Sequence, residues 1–387
     1  MTRRLYHEDA TTRRFDAVVA AITTWKDQPA VVLDRTAFYP EAGGQLGDRG
    51  VLGGVTVVDT QETDDGAIVH VITGLAPAVG AQVTGELDWV RRRQHMAQHT
   101  AQHLLSGALL DRAAAPTSSA RLGETALTID VARDRIPEAE LAAAEDLAND
   151  LIDDDLVIRA WFPAPDELAA LKLRRDPKVD ANIRVIAIGD FDYSPCGGTH
   201  CARTSQLAAI RIASAERYKG MTRVTFTAAR RARAELFARD AVLRTLATRF
   251  SCGPAEVPAA IDKMARDAEA AGTELTALRG RLASMIAASF PGTGPVVAAV
   301  PAEAEVLRSV AAKLVTAGRD AILCAPEDAG ATVVMFRAQG STLDCGALWK
   351  ALAARLGGRG GGRADRAEGR LTAAIPDWTA LIAELSS

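Results

Sequence analysis

The sequence predicts an α+β protein in four parts: a small N-terminal β-barrel over residues 1–88, a mixed α+β domain over 89–230, a helical arm over 231–290, and a small α/β domain over 291–387. Three observations carry this expectation. Short Val- and Ile-rich runs separated by turns fill the first part. Stretches rich in Ala, Leu and Glu alternate with strand-like runs in the second. The breaker run Pro291-Gly292-Thr293-Gly294-Pro295 sets off a last segment in which strand and helix patterns alternate again.

In chain order, the barrel strands are expected at Phe15–Thr24, Ala30–Asp34, Val51–Asp59, Ala67–Ile72 and Ala81–Leu87. Asp65-Gly66 is a hairpin turn between two of them, because such pairs tolerate positive φ. In the second part, Arg91–Leu110 is a helix with no glycine before Gly107, and Pro137–Ile152 is another with proline at its start. Strands surround them at Glu124–Val131, Val157–Trp161, Arg184–Ile188, Ala208–Ala213 and Arg223–Thr227. Residues 231–289 read as two helices broken at Cys252-Gly253-Pro254. In the last part, strands at Val296–Val300, Ala321–Cys324 and Ala331–Phe336 flank helices at Ala304–Ala317 and Cys345–Leu356. A glycine run, Gly357 to Arg363, and a short helix end the pattern.

Composition narrows the function. Charged residues are 24% and hydrophobic residues 48%, the balance of an ordinary globular protein. No run approaches the roughly 18 apolar residues of a membrane span, so no membrane partner is expected. Tyr6-His7-Glu8-Asp9 follows the basic start where a secretory signal would turn apolar, so a cytoplasmic protein is expected. The five cysteines are scattered and odd in number, which favours free thiols or a metal ligand over a disulfide framework. A net charge of -4 excludes a globally basic nucleic-acid binder, so any RNA contact must use local patches.

The chemistry concentrates in two places. His99 and His103 are one helical turn apart, on one face, where two imidazoles can share an ion. His95, a turn earlier, offers a rival pairing with His99. Far along the chain, Cys196-Gly197-Gly198-Thr199-His200 places a thiolate and an imidazole around two glycines that permit a tight turn. Together these supply a Cys/His3 set suited to Zn2+. The second place is Thr36 to Asp48, whose Phe38-Tyr39-Pro40-Glu41-Ala42-Gly43-Gly44-Gln45 core suggests an ordered loop able to approach a ligand and offer N–H groups to anions.

His99-Thr100-Ala101-Gln102-His103-Leu104-Leu105, the Cys196–His200 motif and the Phe38–Gln45 loop occur in the order and spacing of the alanyl-tRNA synthetase editing domain. The chain resembles the free-standing alanyl-tRNA editing proteins, the AlaX family, in their long form. Asp88-Trp89, Arg91 to Met96, Glu145 with Asn149, and Ile188 to Asp192 support the match, which covers roughly residues 4–230. The C-terminal part is similar to the tRNA-binding domain that ends alanyl-tRNA synthetases, on the strength of Gly360 to Asp365 and the α/β pattern before it. There are two departures. Ala42 stands where the family often has glycine, and Ser118 to Gly123 lacks the His or Gln of many members.

The resemblance implies an aminoacyl-tRNA deacylase. Its partner would be mischarged tRNA(Ala), chiefly carrying serine and secondarily glycine, and its cofactor Zn2+ held by His99, His103, Cys196 and His200. Thr36 and Gln45 are the candidate catalytic, substrate-contacting residues, Thr36 as a partner for a serine hydroxyl. Arg92, Arg93, Arg359 and Arg363 are the candidate RNA-binding residues, drawn from the local basic clusters. Two rivals stay open: editing of Ser-tRNA(Thr), which uses the same ligand logic, and a non-catalytic zinc-stabilised RNA-binding protein. A zinc protease does not fit, because His99 to His103 lacks the Glu general base of His-Glu-x-x-His.

Overall fold

The computed structural model describes residues 2–386 except 178, 374 and 376. It is mixed α+β and divides into two compact units, Met1–Leu243 and Arg244–Ser387. In the first, six antiparallel strands close a barrel in the order Arg14–Trp25, Gln28–Leu33, Ile68–Thr73, Val55–Glu62, Gly50–Leu52 and Gln82–Leu87. Alternation drives closure: Phe15, Ala17 and Val19 point inward and pack with Leu33, Phe38, Leu52 and Ile72. The single strand expected over Val51–Asp59 is instead a hairpin. Gly53 and Gly54 sit at φ 57° and 88°, two consecutive left-handed residues of the kind a tight turn between twisted strands requires.

The barrel is tied to the helix Trp89–Ala113 by buried charge. Asp88 caps this helix by accepting from the Arg91 N–H at 3.1 Å. Arg92 is fully enclosed; its Nε donates to Asp48 at 2.8 Å, its Nη1 to the Ala10 carbonyl at 2.9 Å, and its Nη2 to Ala37 and Asp48. Arg92, expected to bind RNA, is thus engaged inside the protein. Its guanidinium is consumed in holding the Phe38–Asp48 loop and the N-terminal stretch onto the helix, and breaking such a pair typically costs about 3–5 kcal/mol. Arg93, its neighbour, is exposed.

Behind the helix lies a four-stranded antiparallel sheet, ordered Ile210–Tyr218, Met221–Ala228, Leu127–Val131, Thr117–Leu122. Leu104, Leu105, Leu109, Ile129, Val224 and Phe226 form its core with the helix Glu138–Asp153. Glu145 and Asn149, one turn apart, fasten the sheet edge: Glu145 accepts from the Ile212 N–H at 2.5 Å and Asn149 bonds both N–H and C=O of Ile210 at 2.9 Å. A small sheet of Ile158–Trp161, Val185–Ile188 and Asp192–Pro195 packs nearby. Gly107 explains the glycine in the long helix: a Cβ there would stand 2.7 Å from the Phe191 ring, so glycine lets this sheet close onto the helix.

The second unit holds the long helix Val257–Ala288 and a five-stranded sheet, ordered Val296–Ala299, Ala321–Glu327, Gly330–Phe336, Arg366–Leu371, Gly358–Gly362. The glycine run is thus a strand, paired with Arg366–Leu371. Its composition has a packing cause. A Cβ at Gly369 or Gly360 would fall 2.2 Å or 2.7 Å from the Trp349 ring, which lies against the glycine backbone. Arg359 on this strand and Arg363 just past its end are exposed. Among the described residues, no helix is long and apolar enough to cross a membrane.

Candidate metal centre

The helix Trp89–Ala113 aims His99 and His103 into one interior space, with ring centroids 5.1 Å apart. The turn after strand Asp192–Pro195 brings Cys196 and His200 to the same space. The ligand atoms of His99, His103, Cys196 and His200 all lie within 4.8 Å of one another. Cys196 Sγ is 3.5 Å from His99 Nε2 and 3.4 Å from His200 Nε2. The three histidines are buried and Cys196 alone is partly exposed. His95 is not in the set; burial holds it neutral, down to about 4, apart from the cluster.

The donor set fits a tetrahedral metal, and its surroundings strengthen the fit. Each histidine meets a different polar group through Nδ1. His99 Nδ1–H donates to Gln45 Oε1 at 2.8 Å. His200 Nδ1 lies 3.2 Å from Thr100 Oγ1. His103 Nδ1 faces Asp192 Oδ2 at 3.6 Å, an ion-pair distance rather than a hydrogen bond. Such outer partners fix the ring tautomer so that Nε2 is free for a metal. The electrostatics agree. Burial opposes the Cys196 thiolate, yet His99 and His103 beside it hold its pKa well below the usual thiol value. Burial and the neighbouring His99 press His200 down to about 3. Burial resists ionisation of Asp192, but His103 and Arg174 outweigh it and hold the carboxylate at about 2.

Gln45, expected to contact substrate, lies against His99. It is fully enclosed, its Oε1 accepting from His99 Nδ1–H and from the Thr199 N–H at 3.2 Å, its Nε2 donating to Thr199 Oγ1 at 2.8 Å. The glycine loop lays Gln45 on His99 instead of opening N–H groups to an anion. Gly44, at φ 87°, passes so close to Ala120 that a Cβ would stand 2.7 Å from its carbonyl. Ala42, where the family often has glycine, is not in the left-handed region, so its methyl group is accommodated. Thr36 is likewise enclosed. Its hydroxyl donates to His70 Nε2 at 2.8 Å and accepts from the Phe38 N–H at 3.1 Å, while His70 Nδ1–H donates to the Val31 carbonyl at 3.1 Å. Thr36 and Gln45, the expected substrate contacts, are thus both enclosed, with their polar atoms engaged by protein partners.

Sequence reasoning quoted Thr100 and Asp192 within its motifs without giving them a role, and did not single out Arg184 or His7. Asp192 and Thr100 had a usable signal, each lying within four residues of a ligand. Arg184 and His7 had none, since tertiary folding alone brings them to the Cys196 turn.

The loop of the barrel thus braces one histidine of a Cys/His3 set. Comparison with known proteins gives the particular kinship. Residues 183–225 match the family described as the threonyl and alanyl tRNA synthetase second additional domain, and residues 10–91 match the one described as tRNA synthetases class II (A). The chain is similar to alanyl-tRNA editing protein AlaX-L of Pyrococcus horikoshii, 38% identical over 244 residues, which is 60% of this chain and 59% of that protein. The alanine–tRNA ligases of Halorubrum lacusprofundi and Thermococcus kodakarensis are 30% and 33% identical over 95% and 96% of this chain, and 42% of each ligase. The chain thus spans 59% of the length of the first relative and 42% of the ligases. The resemblance to alanyl-tRNA editing proteins read from the motifs is borne out.

Proposed function

We propose that this protein is a trans-editing hydrolase that deacylates mischarged tRNA(Ala), chiefly Ser-tRNA(Ala) and secondarily Gly-tRNA(Ala), with Zn2+ held by His99, His103, Cys196 and His200. The observation that carries the reading is the convergence of these four ligand atoms within 4.8 Å, each histidine facing its own outer polar group. The reaction adds water across the ester, breaking the bond between the amino-acid carbonyl carbon and the ribose oxygen and freeing the amino acid. Zinc, when bound, supplies Lewis-acid polarisation and a lowered pKa for water. The chain's own residues do the holding. Gln45, Thr100 and Asp192 orient the imidazoles, and burial keeps bulk water from the three histidines. Cys196, the partly exposed ligand, marks the side from which a substrate reaches the centre.

Residues 1–88 and 89–230 act together in this reading, because Gln45 of the first braces His99 of the second. Arg93, Arg359 on the glycine-rich strand Gly358–Gly362 and Arg363 just past its end are the proposed phosphate contacts, and each is exposed. A non-catalytic zinc-stabilised RNA-binding protein is the second reading, favoured by one observation: four protein donors make a closed, structural type of set.

The test is deacylation of Ser-tRNA(Ala), Gly-tRNA(Ala), Ala-tRNA(Ala) and Ser-tRNA(Thr), with and without chelator, against a His99→Ala/His103→Ala control. Release of serine and glycine from tRNA(Ala), with alanine spared and activity lost in the control, is expected. RNA binding without release supports the second reading, and release only from Ser-tRNA(Thr) moves the protein to the threonyl class. In the same assay Thr36→Val is expected to keep the serine-over-alanine preference, and it should lower the melting temperature, because it strips the buried His70 Nε2 of its partner. A changed preference would restore the substrate-contact role.

A further inference from the structure

The turn that carries Cys196 contains two glycines, and a turn so flexible cannot by itself hold a thiolate in place. Its three successive carbonyls are all taken up by donors from elsewhere in the chain. Arg184 Nη1 donates to the Cys196 carbonyl at 3.0 Å and to the Gly198 carbonyl at 2.8 Å. The backbone of Arg184 accepts the Cys196 N–H at 2.9 Å, so one residue grips the start of the turn on both sides. Between these, the Gly197 carbonyl meets His7 Nε2 at 3.1 Å. A carbonyl only accepts, so His7 carries its proton on Nε2. With the carbonyls drawn outward, the Gly198 N–H lies 3.3 Å from Cys196 Sγ.

His7 reaches this turn from the far end of the chain. It sits on the single helical turn Leu5–Glu8, which is anchored to the barrel: Arg3 and Arg4 pair in parallel with Arg35 and Thr36, and the Arg3 N–H donates to the Asp34 carbonyl at 2.9 Å. Tyr6 and Phe162 pack edge-on against the His7 ring, with centroids 4.6 Å and 5.9 Å away. The ring is therefore held in position before it meets the turn. Residue 7 lies outside both stretches that match known families.

We propose that His7 and Arg184 are positioning residues of the metal centre, an N-terminal clamp and an interior clamp that hold the Cys196-Gly197-Gly198 carbonyls outward and so aim the thiolate at the metal. The inference rests on the proposed metal reading and not on the identity of the substrate. It assigns the N-terminal stretch to the site as a functional part.

The full-length protein, loaded with Co2+, reports on this directly through its thiolate-to-cobalt charge-transfer band and its ligand-field bands. Zinc retention is measured in parallel by competition with a chelator. His7→Phe keeps an aromatic ring against Tyr6 and Phe162 but removes the N–H donor. It is expected to weaken metal retention by about 10–100-fold, the usual effect of losing an outer partner, and to alter the charge-transfer band. His7→Gln, whose amide N–H can donate to the same carbonyl, is expected to recover both. Arg184→Lys should recover part of what Arg184→Met loses, but Arg184 is buried and its variants also test folding, so His7 decides. A purely structural role for His7 would lower the melting temperature and leave the cobalt spectrum as in the wild type. Wild-type affinity and spectrum in His7→Phe would overturn the clamp alone. Failure of the unsubstituted protein to bind Co2+ or Zn2+ would overturn both the clamp and the zinc reading. Tight metal binding without any deacylation would sink only the proposed reaction.

Discussion

With Zn2+ held as proposed, replacing Gly198 with alanine is expected to cost the protein that metal while leaving the barrel folded. A Cβ at residue 198 would stand 2.2 Å from His99 Cε1 and 2.4 Å from His99 Nδ1, far inside van der Waals contact. His99 cannot swing aside cheaply. Its Nδ1–H is bonded to Gln45, whose other bonds go to Thr199, so moving the ring breaks the loop contact on the opposite side. The turn cannot retreat cheaply either, because Arg184 holds the Gly198 carbonyl and Cys196 and His200 flank it in the same segment. Either way one ligand is displaced by about an ångström, and misplacement on that scale costs about 10²-fold in rate. Gly197→Ala is the control: nothing lies within 4 Å of a Cβ there, so metal content and deacylation should stay near wild type. Metal analysis of the purified variants, beside the melting temperature, checks the outcome. Equal zinc content in the Gly198 and Gly197 variants would show that the close approach to His99 is not what keeps residue 198 a glycine.

The contrast between the two glycines shows what could be read from the sequence and what could not. The spacing of His99 and His103 on a glycine-free helical run, and the glycines between Cys196 and His200, made the four-residue set legible, because local geometry alone puts each pair on one side of its element. The short Val- and Ile-rich runs separated by turns made the barrel strands legible in the same local way. What stayed hidden depends on which residue meets which across long sequence distances. Arg92 looks like its exposed neighbour Arg93 in a basic run, and only the docking of the Asp48 loop on the helix turns it into a buried brace. Gln45 looks like a ligand contact in a glycine loop, and only the arrival of His99 and Thr199 gives both ends of its amide a protein partner. The run Gly357 to Arg363 looks like a linker until Trp349 is seen against the strand it forms. In each case residue type announced a polar or permissive position, and the partner decided its role.

Cys196→Ala should produce the largest loss, and it separates holding the metal from taking part in the chemistry. The thiolate is the one anionic donor in the set; the other three are imidazoles. Apparent free energies of about 10–16 kcal/mol for zinc in four-donor sites, spread over the donors, give about 2.5–4 kcal/mol per donor. Removing Cys196 should then weaken zinc retention by about 10²–10³-fold. Three histidines remain, each still facing its outer partner, and a three-histidine set with one position open is a catalytic arrangement in its own right. The decisive quantity is therefore the deacylation rate per bound zinc, measured with enough zinc to fill the variant. If the rate per zinc is restored, Cys196 serves retention and the three histidines suffice for the reaction. If the zinc-filled variant stays inactive, the sulfur is needed while substrate is bound, and the partly exposed side of the centre is where the ester must lie. If zinc retention does not fall at all, Cys196 is not a ligand and the four-donor set is wrong.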